Sequence, residues 1–208
     1  MPAHDIYRPR ISASRYRTAI GPEGNPRLTE RWPAALGLVI AAGVSVAVIA
    51  GLDVDDVADE FAPGIATMMG IYLAAYATGR PAAAWWAFAA LAAVAVLVGP
   101  LGLDAAVVMT AVLAPLWLWV LARGRAHDGP WFAIETLGLV FFGGLTIAAV
   151  VADARPAGIL AGVGWFTHGL WDAYHFAKDR VVARSWSELC AVVDIPVGTA
   201  LIVVSVTR

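Results

Sequence analysis

Seven stretches between Trp32 and Val206 are apolar and long enough to cross a bilayer, and a helical bundle in lipid is the fold that absorbs such a pattern. A crossing helix takes about 17–25 mainly apolar residues. The stretches are Trp32–Leu52, Phe61–Thr78, Ala82–Val98, Ala105–Leu121, Trp131–Val151, Pro156–Phe176 and Trp186–Val206. The third and fourth are short and are separated by a tight turn at Gly99-Pro100, so six spans is the open alternative. Of the 208 residues, 60% are hydrophobic and 14% are charged. Soluble domains carry about 25% charged residues, which excludes the water-soluble class. The predicted fold class is all-α: an integral membrane helical bundle of seven transmembrane helices over residues 32–208. An Arg-rich arm over residues 1–31 precedes it, with the Gly and Pro content of a flexible segment that rests on anionic lipid. That arm has no apolar centre and does not read as a cleaved signal peptide.

Basic residues orient the bundle, because cytoplasmic loops collect them. With the N-terminus inside, 12 of the 14 lysines and arginines fall on inside segments, leaving only Arg155 and Arg208 outside. The first outside loop, "DVDDVADE", holds five acids and no base. Trp32, Trp85, Trp86, Trp117, Trp119, Trp131 and Trp186 fall near the inside boundary, where amphipathic rings settle. The expected location is a bacterial inner membrane, N-terminus in and C-terminus out, with membrane lipids as partners.

Against this apolar background, "GVGWFTHGLWDAYHFAKDR" places His168, Asp172 and His175 within one arc of a helix turning 100° per residue. Gly158, Gly162 and Gly169 lie on another face, where small residues let a neighbouring helix come close. Two more acids fall at the depth of Asp172. Glu135 is about 9 Å into a helix started by Gly129-Pro130, and Asp194 is about 12 Å into the last one. An acid at mid-membrane costs about 2.5–3.5 kcal/mol on insertion scales. His168, Asp172, His175, Asp194 and Glu135 are therefore the candidate catalytic residues. The plain alternatives are interhelical hydrogen bonds for the imidazoles, a Trp or Tyr donor holding Asp172, and snorkelling of Glu135 to the interface. Ser185 and Glu188 match a capping box opening the last helix, and Pro196 frees the carbonyl of Val192 beside Asp194. The lone Cys190 reads as packing and excludes an internal disulfide.

Three mechanisms fit the cluster. Imidazoles with carboxylates suit a divalent transition metal such as zinc or iron, held by His168, Asp172 and His175. Clustered carboxylates share protons unequally, so one donates while another accepts. Chains of His, Asp and Glu at depth also relay protons or cations. The leading expectation is a membrane enzyme acting on a lipid or small apolar molecule by acid–base or metal-assisted chemistry. A proton-linked transporter or channel is the rival, and a non-catalytic accessory subunit is the third class. Retinal is excluded, since the only lysine, Lys178, is at the boundary. No GxSxG elbow or Rossmann fingerprint occurs, and nucleic acid is not an expected partner.

The pattern Gly164-Trp165-x-x-His168-x-x-Trp171-Asp172-x-x-His175, followed by Ser185, Cys190, Asp194 and Pro196, resembles a family of small bacterial multi-pass membrane proteins. The likeness covers residues 163–197 and implies membrane location but no activity. Phe176 and Val193 stand where that family often carries a second His and a second Cys. In architecture alone, the chain is also similar to the seven-helix zinc hydrolases of the progestin/adipoQ receptor, haemolysin III and alkaline ceramidase group.

Overall fold

The computed structural model describes residues 31–208, so the arm predicted at its N-terminus lies outside the described residues except for Arg31. Among the described residues, seven α-helices run in sequence: α1 (Trp32–Gly51), α2 (Val54–Thr78), α3 (Ala83–Val98), α4 (Ala105–Ala122), α5 (Pro130–Val151), α6 (Ala154–Lys178) and α7 (Arg184–Thr207). They alternate in direction. At one end, here the basic end, Arg31 pairs with Glu188 and the amide of Ala183 donates to the carbonyl of Pro81. At the other end, Arg208 donates to the carbonyls of Leu52 and Ile49, and Arg155 to that of Val206. Those contacts satisfy carbonyls that a helix terminus leaves unpaired.

Among the described residues, six helices are long and apolar enough to cross a membrane: α1, α2, α3 extended to Leu101, α4, α5 and α7. α6 is the exception, because Arg155, His168, Asp172, His175, Lys178 and its glycines dilute its apolar content. The helix carrying the polar stripe is thus the one least suited to face lipid. It is buried instead.

α2 is the central post. Ile65, Met69, Tyr72 and Leu73 are fully buried in it, and α4, α5, α6 and α3 pack around it. The stretch expected as the first outer loop is a correction: Val54–Glu60 forms the opening turns of α2, with Asp55 and Asp56 beside its N-terminus. Acids there complement the exposed amides of the first turn, so the segment gains by winding up. α2 stops at Gly79, whose φ of 64° is the left-handed conformation that closes helices and that glycine adopts without strain.

α6 and α7 make the closest contact of the bundle. A Cβ at Gly162 would meet the amide of Ile202, one at Gly169 the amide of Ile195, and one at Gly158 the hydroxyl of Ser205. On α7, Gly198 sits against the backbone of Phe166 and the carbonyl of Gly162. Small residues on both helices bring the two backbones together, as packing without a water-driven hydrophobic effect favours. α1 lies outside α7, with Gly37 against the carbonyl of Leu189 and the side chain of Val192. The capping box expected at Ser185 and Glu188 is not formed. α7 begins two residues earlier, after Ala183, Ser187 donates to the carbonyl of Arg184, and Glu188 turns out to Arg31.

Candidate functional site

His168, Asp172, His175, Asp194 and Glu135 are all buried inside the bundle. α6 supplies the first three. Four residues apart, His168 and Asp172 stack on one face of the helix, and Nδ1 of His168 donates to Oδ2 of Asp172 at 3.0 Å. The close approach at Gly169 brings α7 alongside, so Asp194 reaches the same nitrogen, with Oδ2 at 3.3 Å. One imidazole is clasped between two carboxylates from two helices. Both acceptors face Nδ1, so that nitrogen carries the hydrogen.

The other oxygen of Asp172 is held from a third helix. The hydroxyl of Tyr72 donates to its Oδ1 at 2.6 Å, a short bond of the kind a charged acceptor makes. The sequence reading allowed for a Trp or Tyr donor on Asp172 without identifying it. One signal was present: Tyr72 lies in mid-helix, away from the boundary where tyrosines usually sit, and a buried phenol needs a partner. Tyr72→Phe is expected to cost about 1.5–3 kcal/mol, the worth of a hydrogen bond to a charged group. Thermal unfolding of purified protein in detergent measures it, and a loss below a few tenths would mean that the phenol is incidental.

His175 belongs to a second pair. Its Nδ1 donates to the carbonyl of Trp171 at 2.9 Å, and its Nε2 lies 3.0 Å from Oε1 of Glu135 on α5. A carbonyl only accepts, so Nδ1 is protonated and one further proton lies between Nε2 and the carboxyl. Glu135 therefore does not snorkel; it is 1% exposed. This corrects the expected metal set of His168, Asp172 and His175. Two helical turns separate the imidazoles, and both nitrogens of His175 are engaged elsewhere. Among the described residues, the group able to hold a metal ion is His168, Asp172 and Asp194, whose ligand atoms lie within 4.8 Å of one another. Asp194 takes the place expected for His175.

The two polar layers share one aromatic lining. The ring of Tyr72 lies edge-on to His175 at 4.7 Å between centroids and to His168 at 5.6 Å. Phe142 of α5 covers His168 at 4.8 Å, and Trp171 lies tilted beside His175 at 4.9 Å. Cys190, one turn before Asp194 on α7, is buried among the apolar core as expected. Such an arrangement can exchange protons between an imidazole and two carboxylates, or bind one cation between them, shielded from bulk water. No family model, curated protein or solved structure matches this chain.

Proposed function

We propose that the chain is a membrane enzyme, working on a lipid or small apolar molecule by acid–base or metal-assisted chemistry at His168, Asp172 and Asp194. The observation that carries this reading is the imidazole clasped by two buried carboxylates. Burying one ion in a membrane is costly, and groups so buried usually serve a site. Glu135 and His175 act as a second proton-holding pair. An apolar substrate is favoured by the groove of about 550 Å³ between α4 and α5, lined by Leu113, Trp117, Leu139, Gly143 and Ile147 among others. That groove runs along the helix whose Phe142 covers His168. Seven spans with the N-terminus inside a bacterial inner membrane fit the twelve basic residues gathered on the predicted inside segments. On this reading α6 crosses as a seventh span sheltered by its neighbours.

Asp172→Asn keeps an acceptor for Tyr72 and removes the carboxylate that His168 faces. Membrane lipid extracts incubated with wild type should show species consumed and formed, and the variant should lose roughly 10²–10⁴-fold of that rate. The variant should elute as folded protein. Equal conversion by both proteins would end the enzyme reading, and failure of the variant to accumulate would favour an accessory subunit stabilised by its polar stripe.

Two readings of the site have their own support. The metal branch rests on the three converging ligands, and elemental analysis should find about one zinc or iron per chain, lost in Asp194→Asn. A proton-linked transporter gains from the second pair, His175 and Glu135, beside the first. It predicts pH-dependent flux into reconstituted vesicles that Asp194→Asn suppresses.

A further inference from the structure

Three buried side-chain atoms on the seam between α5 and α6 have no hydrogen-bond partner among the described residues: Oε2 of Glu135, Nε1 of Trp171 and Nε2 of His168. They are not scattered. The two helices run antiparallel, and their side chains meet as three rungs: Glu135 with His175 at 3.0 Å, Gly138 under the indole of Trp171, and Phe142 over His168 at 4.8 Å. Each rung carries one of the unpartnered atoms.

Buried polar atoms in native proteins are almost always paired, with protein or with ordered water. Here the described residues supply no partner. Successive rungs are three or four residues apart, or about 5 Å along the helix, close to the span of two hydrogen bonds through one water. The chemistry also suits water. An indole nitrogen only donates, a carboxylate oxygen accepts, and Nε2 of the imidazole takes either part, so a guest at all three must do both. The lining rings pack at 4.7–5.7 Å between centroids, the contact distance of aromatic rings, which excludes a flat organic molecule and leaves water as the guest small enough to reach the three atoms.

We propose that the α5–α6 seam binds a short file of water molecules at Glu135, Trp171 and His168, giving the buried His168–Asp172–Asp194 group access to solvent from the basic end. Glu135 stands in the second turn of α5 and His175 in the last turn of α6, so their rung is the outermost. On the far side of His168 the interior closes. Ile65 fills the space beside Gly164, and Trp165 spends its indole hydrogen on the carbonyl of Phe61 at 2.9 Å. The file is thus one-sided. It can hydrate a centre and exchange its protons, but it does not cross the bundle. Its role as supply to that centre rests on the proposed chemistry; its occupancy does not.

Exchange of indole hydrogens tests the occupancy with an internal reference. In protein carrying ¹⁵N-tryptophan, moved from H₂O to D₂O in micelles, the Nε1–H of Trp171 should exchange at least roughly tenfold faster than that of Trp165. Trp171→Phe and Trp165→Phe assign the two signals. Glu135→Leu, which blocks the outermost rung, should slow Trp171 toward Trp165. Water density within hydrogen-bond reach of the three atoms in a high-resolution map would agree. The proposal is overturned if Trp171 exchanges no faster than Trp165 in the native chain, or if Glu135→Leu folds and leaves its rate unchanged. None of these readouts depends on turnover, so a failed lipid assay and a failed file are told apart.

Discussion

Gly198→Ala is expected to destabilise the protein by about 3 kcal/mol, the upper end for forcing an extra methyl into a packed interior. Most overpacked side chains find relief by turning a neighbour's rotamer. At Gly198 the new Cβ falls on the backbone of Phe166 and on the carbonyl oxygen of Gly162, neither of which can rotate away. The only escape is to separate α6 from α7, and that separation withdraws Asp194 from His168 as well. A well-chosen control is Gly144→Ala on α5, where nothing lies within 4 Å of the added carbon. Unfolding of both variants by heat or denaturant in detergent should show a wide gap between them. Equal stability would mean that the helix contact is looser than described.

His168→Leu carries the second large effect. Removing one member of a buried ion pair costs about 3–5 kcal/mol, because the remaining charge keeps its desolvation penalty and loses its partner. Here two carboxylates are left facing each other, and among the described residues only Asp172 retains another donor, from Tyr72. The loss should shrink when the partner goes too. In a double-mutant cycle, His168→Leu with Asp194→Leu should fall short of the summed single losses by about 0.5–3 kcal/mol, the usual coupling of residues in one network. Strict additivity would show that the imidazole and the carboxylate act independently.

How much of this was legible in the chain differs by element. The helices were, since apolar runs of bilayer length leave the backbone few other ways to satisfy its amides. The face shared by His168 and Asp172 followed from helical geometry alone, and the glycine face of α6 from the need for close contact. Asp194 could be placed at the right depth by counting residues. What counting could not supply was rotation: which way each helix turns about its own axis when packed. That unknown made His175 look like a companion of His168, although its ring points to α5 and Glu135. It also hid Tyr72, one hundred residues from Asp172, because nothing local links them. The helix start at α7 went astray for a different reason. Glu188 had two offers, a backbone amide and the guanidinium of Arg31, and the charged partner won.

The modest hydropathy of α6 has a consequence for how the chain is made. During synthesis, a lone segment bearing Arg155, His168, Asp172 and Lys178 partitions poorly from the translocation channel into lipid. α7 follows after only residues 179–183 and is strongly apolar. The two segments, joined by that short turn and in close contact at Gly162 and Gly198, can leave the channel as one hairpin, with His168 already facing Asp194. On the proposed seven-span reading, α6 owes its place in the membrane to the helix synthesised after it.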